Sequence, residues 1–298
     1  MKIKSDAFRV HEGKSVNLNK WPTLAEPSYH SKDKYQEILS EHVGCLSEFQ
    51  RLHYASGKNA LLLIFQGMDA AGKDGTIRHV MSGVNPQGCQ VFSFKSPTDT
   101  ELTHDFLWRT TRDLPERGKI GIFNRSYYED VLIARVHPEI LNAEGVDTNL
   151  HKKRHKAEIW NKRYRSINDL EKHLHENGTQ VLKFFLHLSF DEQSRRFLDR
   201  IDDKGKNWKL SPADIKERSY WSHYMRAYDE CLEATSTERS PWFIIPADDK
   251  LNARLIVSEI ILDTFRGFKM KIPKVSAQRT KELDVIRKQL KASLEASK

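Results

Sequence analysis

The chain has 298 residues, 38% hydrophobic and 30% charged, with a formal net charge of +8. It can bury a substantial core, as one large domain or one with helical additions, and its positive balance favours polyanions such as nucleic acid, anionic lipid or phosphate chains. No stretch approaches the ~20 apolar residues of a membrane span and the first residues lack the apolar region of a secretory signal, so a cytoplasmic protein with no membrane partner is expected.

Residues 1–32 read as an N-terminal arm, polar and aperiodic to Asn19 and extended from Trp21 to Pro27, either poorly ordered or laid over a neighbour. Ile38, Leu39, Val43, Leu46, Phe49 and Leu52 recur at helical spacing and predict a helix over 33–55. The apolar run Ala60–Phe65 predicts a strand, and a helix over 76–81 follows a Gly-rich turn. Cys89–Phe94 reads as the next strand. Thr98 and Glu101 form a capping-box pattern that starts a helix closed by Pro115. Strands over 119–124, 181–188 and 241–245 alternate with helices over 151–177, 190–201 and 253–265. This alternation predicts an α/β fold with a mostly parallel sheet flanked by helices, with ligands at the carboxyl ends of the strands. The basic tail, 269–298, is left open between a surface helix, a subunit contact and disorder. Cys45, Cys89 and Cys231 lie too far apart for a disulfide framework or a zinc site and read as reduced packing residues.

The turn Gly67-Met68-Asp69-Ala70-Ala71-Gly72-Lys73-Asp74-Gly75 stands between strand and helix, where a phosphate-cradling loop belongs. Glycines let backbone N–H groups converge on an anion, the helix start adds unpaired N–H groups, and Lys73 adds a mobile charge. Two residues depart from the usual pattern. Asp74 replaces the Ser or Thr whose hydroxyl would meet Mg²⁺, and Asp69 places a carboxylate among phosphate-binding amides, which calls for a metal ion between them. Asp69 is therefore read as a metal or acceptor-phosphate residue.

At the end of the 119–124 strand, Asn124-Arg125-Ser126-Tyr127-Tyr128-Glu129-Asp130 gathers an amide, a guanidinium and carboxylates, and looks like the opposite wall of a nucleotide site. Arg125 suits a transferring phosphoryl group because its planar fork can bind two oxygens; the plain alternative is a surface arginine paired with Glu129. A second cationic group, Arg195, Arg196, Arg200, Lys204, Lys206 and Lys209, resembles a mobile lid over an anionic substrate, although Asp191 and Glu192 stand at ion-pair spacing from Arg195 and Arg196. His151 and His155 share a helix face, but the cations between them favour a solvated basic surface over metal binding. No single-strand platform or recognition helix points to nucleic acid.

Gly67–Gly75, Phe123–Val131 and Asn207-Trp208-Lys209-Leu210-Ser211-Pro212-Ala213-Asp214 together resemble the polyphosphate kinase 2 family, over about Tyr35 to Phe268. The resemblance implies reversible phosphoryl transfer between inorganic polyphosphate and AMP, ADP or ATP, with Mg²⁺ or in its place Mn²⁺. It implies a P-loop kinase-like core over 33–268, a helical lid around 195–215 and a homo-oligomer, a tetramer being the family form. Guanine nucleotides are further acceptors to be considered. By position, Asp69, Lys73 and Arg125 would be catalytic, with Asp69 on the metal. Gly67, Ala70, Ala71, Gly72, Asp74, Gly75, Asn124 and Glu129 would bind nucleotide or phosphate, and Arg78, Arg135, Arg196, Arg200, Lys204 and Lys209 polyphosphate. Many members carry Asp where this chain has Asn124, and a neutral amide there near Glu129 looks like the subgroup that accepts AMP as well as ADP. The rival readings are an ATP-dependent nucleoside or nucleotide kinase and a non-catalytic polyanion-binding P-loop protein.

Overall fold

In a computed structural model the described residues are 3–146 and 153–296. The first helix, α1 (Lys32–Ser56), starts where the Ser31 side chain accepts the Lys34 N–H and stops at left-handed Gly57. Strand β1 (Ala60–Gln66) follows, buried along its whole length. Next come α2 (Lys73–Val80), β2 (Cys89–Ser93), α3 (Asp99–Leu102), α4 (Trp108–Thr111), β3 (Ile120–Asn124), α5 (Glu129–Val136) and α6 (Glu139–Ala143). The chain continues through α7 (Lys153–Glu176), β4 (Thr179–His187), α8 (Phe190–Asp202), α9 (Pro212–Arg218) and α10 (Trp221–Thr235), then β5 (Trp242–Pro246), α11 (Lys250–Gly267) and α12 (Ala277–Ala296).

The five strands form one parallel sheet in the order β2-β3-β1-β4-β5. Its inner strands are largely apolar because helices cover both faces, with Lys183 of β4 the charged exception. One core holds Leu62, Ile64, Phe123, Phe185 and Ile244 against α5, α7 and α10. The other holds Leu61, Leu63, Phe65, Phe184 and Ile245 against α1, α2 and α11. The order reverses at β1, which sits between β3 and β4, so its carboxyl end opens onto a crevice.

Two sequence expectations change, one helix is added and the tail takes one of its open states. The N-terminal arm is laid on its own domain: Val10, Val16 and Leu18 are buried, and the Val10 N–H donates to Trp242 O at 2.9 Å along the outer edge of β5. Its few apolar residues suffice because the edge offers unpaired backbone groups. The helix begun by the Thr98–Glu101 capping box ends after one turn, where Thr103 Oγ1 and the His104 ring bond back to the Thr100 carbonyl, and a separate turn forms α4. Helix α10, with Tyr224, Ala227, Tyr228, Cys231 and Leu232 buried on one stripe, was not anticipated. The tail, left open between three states, contains the exposed helix α12. The sequence His151–His155 falls largely outside the described residues. Burial pushes the Cys89 thiol up to about 11 and the Cys231 thiol up to about 12, which leaves both protonated packing groups.

Beneath the turn that leaves β3 lies a buried ionic network. Lys183 Nζ donates to Glu171 Oε2 at 2.6 Å, to the Tyr128 hydroxyl at 3.0 Å and to Thr235 O at 2.6 Å. Glu171 Oε1 accepts from the Tyr127 hydroxyl at 2.9 Å and the Tyr128 hydroxyl at 2.8 Å. All of its charged groups are at most 1% exposed, so each depends on the others for the polarity that water would supply. Lys183→Met should therefore destabilise the fold by about 3 kcal/mol or more, by stranding the Glu171 carboxylate. Replacing Glu171 with Leu in the same chain should recover much of the loss, as read by the urea midpoint.

Candidate functional site

The turn after β1 is shaped by close backbone approaches. A Cβ on Gly67 would lie 2.9 Å from Leu186 O in the neighbouring strand, and Gly72, the residue before α2, has φ +102°. Only glycine meets both demands at low cost. The carbonyls of the loop are held from behind. Arg196 Nη1 donates to Ala70 O at 2.9 Å and Ala71 O at 3.1 Å, while its Nη2 donates to Asp248 O at 3.1 Å after β5. Gln193 Nε2 adds a bond to Asp69 O at 2.9 Å. The loop's shape is thereby fixed by side chains of the same chain.

Lys73 opens α2 and is buried, its Nζ donating to Gly67 O at 2.7 Å and Met68 O at 3.3 Å. Burial, helped by the Arg125 charge, brings its ammonium down to about 8, against the pull of Asp69, Glu129 and Asp74. At the end of β3 the chain makes a left-handed step at Arg125 (φ +66°), whose N–H bonds to Phe65 O at 3.0 Å. A non-glycine residue in that conformation stores roughly 1 kcal/mol or more and is characteristic of functional sites. The step points the Arg125 guanidinium between two carboxylates, 3.1 Å from Asp69 Oδ1 and 3.8 Å from Glu129 Oε2. Glu129 itself is pushed up by burial, partly offset by Arg125, Lys73 and a hydrogen bond from Gln66. Next to them Asn124 Nδ2 donates to Asp74 Oδ1 at 2.7 Å, so the two residues that break the expected pattern bond to each other.

From this cluster a cleft of ≈ 300 Å³ extends between α5, α6, α8, α9 and α10. Gly67, Asp69, Arg125 and Glu129 form its base; His137, Asp214, Glu217, Arg218, Tyr224 and Tyr228 form the far walls. Glu217 there accepts from the Tyr224 hydroxyl at 2.7 Å and sits 2.9 Å from the His137 Nε2. Arg218 is held 3.4 Å over the Phe190 ring.

The sequence thus brought together Gly67, Asp69, Ala70, Ala71, Gly72, Lys73, Asp74, Gly75, Asn124, Arg125 and Glu129 around one loop. Of the basic residues assigned to polyphosphate, Arg78, Arg135, Arg196, Arg200 and Lys204 do not line the cleft. Arg196 is a correction: it is 3% exposed, a strut of the loop and no part of a mobile lid. Arg135 pairs with Glu230, donates to the Tyr164 hydroxyl and lies over Trp160. Arg78 and Lys204 are exposed, Arg200 leans on the Phe197 ring at 5.7 Å, and the Lys209 side chain lies outside the described residues. Gln193, Glu217, Arg218, Tyr224 and Tyr228 were missed. A Ser211–Asp214 capping box marks α9, and the three-to-four spacing of buried residues marks α10; these were the available signals.

Asp69 and Glu129 offer the hard oxygen donors a divalent cation prefers, and no group of three or more metal-binding side chains occurs among the described residues. Such a pair fits Mg²⁺ completed by phosphate oxygens better than a closed protein cage.

Lys73 has a kinetic consequence. If its ammonium meets phosphate, kcat/KM should fall as pH rises through about 8, because the protonated form is the working one in the free protein. The limb should be absent from Lys73→Arg, whose side chain stays charged. A profile flat to pH 9.5 in the unsubstituted protein would remove Lys73 from phosphate binding.

Three comparisons bear on this site. A family model described as Polyphosphate kinase 2 matches residues 29–273. The chain is 61% identical over 290 residues, 97% of its length and 99% of the relative's, to an ADP-polyphosphate phosphotransferase of Rhodopseudomonas palustris. It is 43% identical, over 76% of its own length and 80% of the relative's, to an AMP/ADP-polyphosphate phosphotransferase of Meiothermus ruber. The crystal structure of polyphosphate kinase 2 from Arthrobacter aurescens TC1 superposes with a TM-score of 0.84 at 39% identity, covering 95% of this chain and 96% of that one.

Proposed function

Because this chain belongs to the polyphosphate kinase 2 family, we propose that it transfers phosphoryl groups reversibly between inorganic polyphosphate and adenine nucleotides, with ADP and AMP as acceptors. The observation that carries the reading is the convergence of Asp69, Arg125 and Glu129 at the base of a cleft large enough for a small ligand, with the Lys73 ammonium close enough to feel all three charges.

In the forward direction a terminal phosphate oxygen of the nucleotide attacks the end phosphorus of the polyphosphate chain. The new P–O bond forms as the bond to the shortened chain breaks, and that chain leaves with the electron pair. Little covalent work falls to the protein, so its contribution is positioning and charge neutralisation. Lys73 would exchange its two carbonyl partners for phosphate oxygens, a step its buried, easily displaced ammonium suits. Arg125 would leave Asp69 for the transferred group and present two parallel N–H donors to it. Asp69, with Glu129 behind it, would hold Mg²⁺, or Mn²⁺ in its place. When bound, that ion neutralises the phosphates and lets carboxylate and anion share one site. The far walls suit a nucleoside: Tyr224 and Tyr228 supply aromatic edges to the lining, and the carboxylates of Asp214 and Glu217 can accept from ribose hydroxyls or a base amine.

The charge surplus supports a polyanionic donor, which a positive field gathers. Arg78, Arg135, Arg200, Lys204 and Lys209 remain the proposed path for it. Guanine nucleotides are further acceptors to assay. A homo-oligomer, taken as a tetramer, and a cytoplasmic setting complete the proposal; the exposed Leu283, Ile286, Leu290 and Leu294 of α12 support self-association.

Incubating the protein with polyphosphate, ADP and Mg²⁺ should yield ATP, and AMP in place of ADP should yield ADP and then ATP. Activity confined to ATP as donor for another small substrate would favour the rival kinase instead. Arg125→Ala should lower kcat by about 10²-fold, the scale for a lost transition-state donor. Asn124→Asp would set a second carboxylate against Asp74; its melting temperature should fall without divalent metal and recover on adding it, more than in the unsubstituted chain.

A further inference from the structure

A second cleft, of ≈ 410 Å³, opens at the amino end of the sheet, away from the phosphate loop. It lies there because α1 ends just before β1 begins, and the Asn85–Gly88 turn ends just before β2. Its walls include Glu48, Gln50, Arg51 and Tyr54 from α1, and Gln87 and Gly88 from that turn.

Gln50 is the informative residue. It is 3% exposed and its amide makes no hydrogen bond to another described residue, yet neither amide atom is sealed from solvent, so the polar edge reaches the cleft unused. A Cβ on Gly88 would fall 1.8 Å from Gln50 Nε2, so glycine is what lets the amide occupy this position. Beside it Tyr54 leaves 54% of its surface open. One cation, Arg51, and one carboxylate, Glu48, leave the lining close to neutral, which is wrong for a phosphate chain.

We propose that this cleft binds the nucleoside part of a purine nucleotide, its base stacked on Tyr54 and its edge read by the Gln50 amide. A primary amide presents a donor beside an acceptor, the complement of the adenine amine and adjacent ring nitrogen. An aromatic face supplies the stacking surface any purine can use. None of the residues assigned to phosphoryl transfer borders the cleft, so the inference stands apart from the proposed reaction.

Adenosine, which carries no phosphate for the Gly-rich loop, is the probe. Titrated calorimetrically into the full-length protein, it should show a class of sites weakened at least tenfold by Tyr54→Ala and by Gln50→Leu, and changed less than twofold by Lys73→Ala. Photolabelling with 8-azidoadenosine should mark the peptide containing Ser47 to Tyr54. Tyr54→Ala alters an exposed side chain and decides the matter should Gln50→Leu fail to fold. The proposal is overturned by affinity indifferent to Tyr54→Ala, or by label found only on peptides carrying Tyr224 and Tyr228. It is equally overturned if Tyr54→Ala changes the oligomeric state and leaves adenosine binding untouched, since the cleft would then be a subunit contact.

Discussion

The site depends on a guanidinium that never needs to meet a ligand. Arg196 ties the carbonyls of Ala70 and Ala71, after β1, to that of Asp248, after β5. A loop that receives phosphate has to be shaped beforehand, because ordering it at the moment of binding would consume part of the affinity. Burying an arginine for this purpose carries a desolvation cost, which its several hydrogen bonds and the Glu192 carboxylate offset. Strand order, helix start and loop glycines place the pieces; this strut fixes them relative to one another.

The opposite wall is fixed by a different device. The left-handed step at Arg125 is followed at once by Tyr127 and Tyr128, whose hydroxyls both end on Glu171. Lys183 then binds that carboxylate from β4, and Trp242 of β5 packs edge-on against Tyr128 at 4.7 Å. Strain at Arg125 is thus balanced by a fully satisfied polar network a few residues away. The cationic side chain between Asp69 and Glu129 keeps two acids close together in a half-buried place where they would otherwise repel.

Much of this was legible in the residues. Apolar runs bounded by turn signals located all five strands, most securely β1, β3, β4 and β5, which are buried along most of their length, whereas β2 is an exposed edge. The loop was legible because its chemistry is local: glycines, a lysine and a helix start, adjacent in sequence. Arg196 was misread because a cation near an anion site carries the same letter whether it faces substrate or carbonyls, and only the packing of α8 against the loops after β1 and β5 separates the two. The Asn124–Asp74 bond joins positions fifty residues apart, and Tyr224 and Tyr228 reach the cleft from a helix that the sequence reading passed over. Such pairings follow from strand order, which no single segment encodes.

The two margins of the sheet are unequal. One is capped by the chain's own first residues, where Val10 bonds to Trp242; at the other, β2 pairs with β3 alone among the described strands and leaves Val91 half open to solvent. Any growth of the sheet through a neighbouring molecule therefore has a single available side. Joined there across a two-fold axis, two copies would use up that side in both, and the strand array would end at ten instead of propagating into a fibre.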